Sequence, residues 1–484
     1  SYCRWCFRSN PFNKISGFGT QEVILSIMQL RHALRIQPGE SIAFSGSGGK
    51  TSAIFALARQ LAAPVIVTTT THFSKDQLGF AEQIVYSADI PNIQGLTDII
   101  KPGIVLIIGE EVENERVSGV SGRLLAEIYQ LTNKRGINLL IEADGSRQRA
   151  LKAPAPHEPV IPSFVDHVVV VAGLSALGKP LSAQYVHRPN RYAELGGLDL
   201  GEEISPQAII RVLSDQMGGL KGIPEGARRV CVLNQADNEQ LQAQGYRLAQ
   251  ALIPYYDSAI VASLLNMIEN PGQADLLDGS TAGNGIFAVH EPVVGIILAA
   301  GGSHRMGRPK QLLPWQGKSL IRHVASNVLG AGLEKVMVVI GATGEQVRAE
   351  LADLPVEIVV NPNWELGQST SIQAGLSAIP DNIGAAIFLL ADQPNVSRSL
   401  IRSMIERHAT TLAPIIAPMV DRKRGNPVLF DRITFGDFYS IQGDTGGREL
   451  FSRYPISWIE WHDPAVLMDI DTDDDYQSLR SETT

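Results

Sequence analysis

Two long stretches of this chain, 40–268 and 292 onward, alternate short apolar runs with helical patterns. In the first, runs at 41–44, 64–68, 104–108, 138–142, 167–171 and 230–233 are separated by helical patterns such as 51–61 and 122–133. In the second, runs at 293–298, 336–340, 356–360, 386–390 and 414–418 accompany helical patterns at 319–331 and 343–351. Near-continuous Val/Ile/Leu runs are the mark of strands buried on both faces. Alternating with helices, they imply doubly wound parallel sheets. The expected fold is therefore α/β with two doubly wound domains, at 38–268 and 292–484. Between them, 269–291 holds Asn-Pro-Gly, Asp-Gly-Ser and Ala-Gly-Asn-Gly, which is loop chemistry and marks a linker. Residues 1–37 read as an extension, with the period of an amphipathic helix over 21–34.

A length of 484 residues suits two or three domains. The net charge of −9 argues against general affinity for nucleic acid or anionic membrane. No apolar run reaches a membrane span and the N-terminus lacks a signal-peptide core, so the chain is expected to be cytoplasmic. Three cysteines make no disulfide framework. Cys3 and Cys6 lack the second ligand pair a zinc site needs and read as ordinary thiols. Cys231 lies in a strand-like run and reads as a small core residue.

The strongest functional signal follows the run at 293–297. Leu298, Ala299, Ala300, Gly301 and Gly302 lead into Arg305, Arg308 and Lys310. Glycines let backbone N–H groups approach an anion and the cations neutralise it, so this loop is expected to hold a nucleotide's phosphates. The run at 386–390 ends in Ala391-Asp392-Gln393-Pro394. A carboxylate at the carboxyl end of a strand is placed to hold Mg²⁺ against a triphosphate; a helix cap is its plain structural alternative. Asp469 and Asp471 alternate along an extended run, share a face, and either completes that metal site.

Leu-Ala-Ala-Gly, Arg-Met-Gly and Pro-Lys in this order resemble the opening signature of MobA/MocA-like nucleotidyltransferases. The Ala-Ala-Gly form resembles the MocA branch, which uses CTP and molybdopterin cofactor. The resemblance implies a Rossmann-like nucleotidyltransferase over about 292–480, with Asp392-Gln393-Pro394 and Asp469–Thr472 as its metal segments. It implies that the segment holding Asn361, Ser369, Thr370 and Ser371 contacts nucleotide or acceptor; Gln368 stands where the family usually has Met. The resemblance implies that two Gly-containing polar loops, Arg424-Gly425-Asn426-Pro427-Val428 and Gly443-Asp444-Thr445-Gly446-Gly447-Arg448, shape the acceptor pocket, with Asn426 and Asp444 as its candidate residues, although each loop also reads as a plain turn. The implied chemistry is attack of the acceptor's terminal phosphate on the α-phosphorus of CTP, with Lys310 and Arg305 stabilising the departing pyrophosphate and Asp392 holding Mg²⁺.

The first half carries a second loop, Ser45-Gly46-Ser47-Gly48-Gly49-Lys50-Thr51, between a strand and a helix. It reads as a phosphate loop in which Lys50 meets the β and γ phosphates and Thr51 ligates Mg²⁺. Strict Walker spacing would need glycine where Phe44 stands. The shorter Gly-x-x-Gly-Lys-Thr form resembles Mur-type ligases, so this domain is expected to be P-loop-like and to bind ATP or GTP. Glu142 and Asp144 end a strand in Walker-B-like fashion, with Asp144 as a candidate metal ligand. Asn234-Gln235-Ala236-Asp237 is a partial match to a guanine-reading motif and equally natural as an Asx turn.

Together with Leu151–Pro154, His157-Glu158-Pro159 and His187-Arg188-Pro189, this loop resembles the YqeC family, described as accessory to selenium-dependent molybdenum hydroxylases. The implied partners are molybdopterin cofactor as substrate and an apo-hydroxylase. The alternatives are another NTP transferase, using GTP or a sugar- or polyol-phosphate acceptor, and an N-terminal half that acts as a nucleotide-gated cofactor chaperone.

Overall fold

The structure, a computed structural model, describes residues 28–90, 92–112, 115–265, 285–303 and 306–482. Arg305, Cys3 and Cys6, singled out above, lie outside the described residues.

The first sheet has nine strands: β1 (Ser41–Gly46), β2 (Val65–Thr69), β3 (Gln83–Tyr86), β4 (Ile104–Ile108), β5 (Leu139–Glu142), β6 (His167–Gly173), β7 (Arg228–Asn234), β8 (Ser258–Ser263) and β9 (Gly285–His290). Their spatial order is β9-β8-β7-β6-β1-β5-β2-β4-β3. All neighbours run parallel except β9, which is antiparallel to β8. Side chains alternate between two cores. Ala43 points into one, and Ile42 and Phe44 into the other. Helix α1 (Lys50–Ala58) is buried along most of its length. Helix α2 (Gly122–Arg135) is amphipathic: Ser121 caps it by accepting from the Leu124 N–H, Gly136 ends it with a left-handed turn, and Leu125 and Ile128 face the sheet.

The second sheet comprises β10 (Val293–Ala299), β11 (Lys335–Ile340), β12 (Glu357–Val360), β13 (Ala385–Leu390), β14 (Ile415–Val420), β15 (Lys423–Arg424), β16 (Val428–Asp431) and β17 (Ile456–Glu460). The order is β12-β11-β10-β13-β16-β14-β15, with β17 beside β14. The fold is α/β as expected, but this sheet is mixed. β16 runs antiparallel to both β13 and β14. A two-residue turn at Asp421 and Arg422, with φ of 45° and 64°, folds β14 onto β15 and starts the reversal.

Two expected boundaries need correction. Residues 285–290, placed in the linker, form the edge strand β9, because Ile286, Ala288 and Val289 supply an apolar run hidden behind the glycines. Residues 30–36, placed in the extension, belong to the first core. Leu30, Ala33 and Leu34 pack against Ile42 and Ile54 through one helical turn, Leu30–Ala33.

The halves meet at a buried charge cluster. Arg35 donates through Nη1 and Nη2 to Asp431 at 2.8 and 2.6 Å, and through Nε and Nη2 to Glu291 at 3.2 and 2.6 Å. Arg228 reaches Glu291 at 2.7 Å, and His408 meets Asp431 at 2.7 Å. Both carboxylates are fully buried. Burial opposes ionisation of Asp431, but its bonds to His408 and Arg35 hold the carboxyl well below its ordinary range. Among the described residues, Glu291, His408 and Asp431 form the only three-ligand set close enough to hold a metal, and the Arg35 guanidinium fills it.

Candidate functional site

A cleft of about 820 Å³ opens at the carboxyl ends of β10 and β13. These strands are parallel neighbours, with Leu298 opposite Leu390, so the loops that follow them face each other. Leu298, Ala300, Gly301 and Lys310 line the cleft, while Ala299 and Gly302 do not. The loop is shaped by Gln311, which is nearly inaccessible. Its Nε2 donates to the carbonyls of Ala299 and Gly301 at 3.1 and 2.8 Å. Ser303 Oγ donates to Gln311 Oε1 and accepts from the Lys310 N–H at 3.0 Å. Gln311 escapes a sequence reading because its task is internal to the loop.

Lys310 Nζ pairs with Asp392 Oδ2 and lies 3.4 Å from Asp471 Oδ1. Burial pulls the ammonium pKa down, but Asp392 and Asp471 raise it further, so Lys310 sits above its ordinary range. Asp392 Oδ1 is buried with no hydrogen-bond partner. Asp469 accepts from Gln393 Nε2 and does not line the cleft. Burial, with Asp392 and Asp471 nearby and against the Gln393 bond, raises its pKa. The three carboxylates therefore concentrate negative charge around one ammonium. That arrangement can hold a cation and balance a phosphate.

Of the expected acceptor residues, Ser371, Asn426 and Asp444 line the cleft. Asn361, Ser369 and Thr370 stand behind that lining, although Trp364, Gly367 and Gln368 of the same segment belong to it. Asn361 is buried and donates to Thr370 and Ser371 hydroxyls at 2.9 and 3.0 Å. Thr370 donates to the carbonyls of Asn363 and Gly367. The Ser369 N–H donates to Gly443 O at 3.1 Å. Short polar side chains at the entry to helix α3 (Gln368–Ser377) are spent on its turn and on the backbone groups a helix start leaves open. The cleft also has aromatic walls, Trp364, Phe388, Phe430 and Phe451, which no local motif announces.

The loop in the first half is differently built. Gly46 N–H donates to Asp144 Oδ2 at 3.1 Å, Ser47 N–H to Val171 O at 2.8 Å, and Gly48 N–H to Arg149 O at 2.9 Å. Three of the amides expected to cradle phosphate are thus engaged. The glycines are explained by packing: a Cβ on Gly46 would lie 2.2 Å from Val171 O, and one on Gly48 would lie 2.5 Å from Gly173 N. Gly49, Lys50 and Thr51 open α1, where a helix leaves its first N–H groups without internal acceptors. Asn234 clamps Gly48 O at 2.8 Å, which gives the Asn-Gln-Ala-Asp segment a structural task.

Lys50 is buried and donates to Gly46 O at 2.8 Å, with Asp144 at 3.2 Å. Asp144 also holds Lys152 at 2.8 Å, so the expected metal ligand is instead clasped by two ammonium groups. Thr51 Oγ1, the other expected ligand, accepts from Gln77 at 3.0 Å. Lys152 and Arg188 then share Glu158 at 3.2 and 2.8 Å. Burial pushes the Glu142 carboxyl up to about 7, against the pull of Lys50. An acid that ionises later in the folded chain than in the unfolded one stabilises the fold most below its ordinary value of 4.5. That contribution is lost as pH rises to about 7. Denaturant unfolding of the Glu142→Gln variant should therefore lack a fall of about 3 kcal/mol across this window that the parent shows.

The model described as YqeC protein matches residues 42–190, and the MobA-like NTP transferase domain matches residues 295–457. Over 209 residues the chain is 32% identical to uncharacterized protein YqeC of Escherichia coli K12, covering 42% of this chain and 80% of that one. Over 190 residues it is 31% identical to nicotine blue oxidoreductase of Paenarthrobacter nicotinovorans, covering 37% of this chain and 92% of that one. Among solved structures, Rv0371c of Mycobacterium tuberculosis H37Rv shares 28% identity over 39% of this chain and 98% of its own, at a TM-score of 0.36.

Proposed function

Because the chain belongs to the YqeC family through its first half and to the MobA-like NTP transferase family through its second, we propose that it is a two-part cofactor-maturation enzyme whose second half transfers a cytidylyl group from CTP to molybdopterin cofactor. One observation carries the reading. The Gly301 loop, Lys310, Asp392 and Asp471 meet in a single cleft at the carboxyl ends of β10 and β13.

The residues present suit a divalent cation. Asp392 offers a buried oxygen without a hydrogen-bond partner, and Asp471 lies across Lys310 from it. One or two carboxylates, completed by substrate phosphates, is the usual provision for Mg²⁺. When bound there, Mg²⁺ would neutralise triphosphate charge. The Gly301 backbone allows close approach of the triphosphate. Lys310, kept charged by its carboxylates, neutralises the oxygens that leave as pyrophosphate. The acceptor phosphate oxygen attacks the α-phosphorus, and the bond to the β-phosphate oxygen breaks. No side-chain nucleophile is needed, because positioning and charge neutralisation supply most of the rate.

In the first half, Gly49, Lys50 and Thr51 are the groups left to meet a purine nucleotide, ATP or GTP. Lys50 would exchange Gly46 O and Asp144 for phosphate oxygens. This half would serve maturation of a molybdenum hydroxylase. A redox reading of the second half is prompted by the oxidoreductase relative; the carboxylates gathered beside the phosphate loop favour transfer. The test is incubation with molybdopterin cofactor, Mg²⁺ and each NTP in turn. Pyrophosphate release with CTP alone is expected. Release with GTP alone would reassign the base, and no release with any NTP would sink the transfer reading.

A further inference from the structure

The part of the cleft built by β15 and the 443–448 loop carries two guanidiniums that the proposed reaction has not yet used. Arg424 and Arg448 both line the cleft, and among the described residues neither forms an ion pair with a carboxylate. Arg424 Nε is buried without a hydrogen-bond partner. Its guanidinium carbon stands 4.7 Å from the centroid of the Phe451 ring, so one face is covered and the edge with its N–H donors remains. Burial, then the charge of Arg448, lowers its pKa, as expected of two cations brought together without an anion. Arg422 and Lys423, in the turn and strand leading to Arg424, add positive charge. A guanidinium stacked on a ring by one face, with a second guanidinium close enough to be felt, is suited to bidentate recognition of a phosphate.

Strand β15 lies three sheet positions from β13, about 14 Å in backbone terms. Lys310 and Asp392 serve the β10–β13 part of the cleft, where the triphosphate is placed. A cleft of 820 Å³ has room for two small molecules side by side. Two anionic substrates repel each other, and cations on both sides of their meeting point remove that cost.

We propose that Arg424 and Arg448 form an anion subsite that binds the phosphate group of the acceptor. This rests on the transfer reading above and deepens it. It adds the side chains that would hold and orient the phosphate whose oxygen attacks the α-phosphorus. Asn426, in the loop between Arg424 and β16, lines the same wall and offers a further amide donor.

The test uses the whole chain and two probes, molybdopterin and its dephosphorylated form, titrated into parent, R448Q and the R424Q/R448Q double variant. Arg448 is exposed, so R448Q tests the idea without threatening the fold. The parent should bind the phosphorylated form at least about tenfold more tightly; R448Q should shrink that preference, and the double variant should abolish it. Binding of CTP with Mg²⁺ should stay within about twofold throughout. Equal binding of both forms by the parent, or an unchanged preference in R448Q and the double variant, would overturn the subsite. The two readings separate cleanly. Phosphate-dependent binding lost in the variants, in a protein that releases no pyrophosphate with any NTP, upholds the subsite and removes the transfer chemistry. Normal transfer with an unchanged acceptor KM in the variants upholds the transfer and removes the subsite.

Discussion

Asp392→Asn should lower kcat/KM for nucleotidyl transfer by about 10³-fold, or about 4 kcal/mol of transition-state stabilisation. The change keeps the shape of the side chain and removes its charge. The backbone at 392 still accepts from the Ile470 N–H, and Lys310 keeps Asp471 as a partner, so unfolding should stay close to that of the parent. The loss would fall on cation binding and on charge balance around Lys310, both of which matter most when pyrophosphate departs. The same substitution discriminates between the two downstream aspartates. Asp471 faces Lys310 in the cleft, whereas Asp469 is turned to Gln393. Asp471→Asn should therefore cost more activity than Asp469→Asn, measured as initial rates at saturating CTP. Parent-like turnover by Asp392→Asn would remove the metal assignment.

Arg35→Met should destabilise the chain by about 3 to 5 kcal/mol, because it leaves buried carboxylates short of a partner. Without Arg35, Glu291 would keep only Arg228 as a charged partner and Asp431 would keep His408 and the Ile433 N–H, in a cluster where both carboxylates are fully buried. The cost should appear in denaturant unfolding as a lowered midpoint with little change in slope. Adding Asp431→Asn to Arg35→Met removes one stranded charge and should return part of the loss, a coupling that a double-mutant cycle reads directly. A cost below about 1 kcal/mol would mean that the cluster is no more than a surface-like pairing. The position matters beyond stability, since Arg35 precedes the first sheet while Asp431 ends β16 of the second. The residues that join the halves are 396 positions apart in sequence.

That separation explains what a linear reading can reach. Strands such as β1, β4, β6 and β10 are legible because their Val/Ile/Leu runs carry the signal locally. β16 and β17 are not, because a short strand running against its neighbours is chosen by the sheet it joins. β9 is masked by the glycines before it. At the site, Lys310, Asp392 and Asp471 are legible because charge at a strand end has few structural uses. Gln311 is not, since it works inside a loop, and Arg424 is legible only as one residue of a polar loop, because its own task depends on Phe451 and Arg448. The glycines at 46 and 48 show the opposite hazard. Their spacing suggests phosphate, yet the close backbone of β6 already requires them. Asn361 and Thr370 stand at a similar divide, since polar residues near a helix start serve the helix as readily as a substrate.

The most direct measurement follows the label of CTP carrying ³²P at its α-phosphate, incubated with the whole chain, Mg²⁺ and molybdopterin cofactor. The expected result is label on the pterin, pyrophosphate without label, and transfer by Asp392→Asn slowed about 10³-fold. Label that stays in CTP, or passes to free CMP while the pterin remains unlabelled, would contradict it.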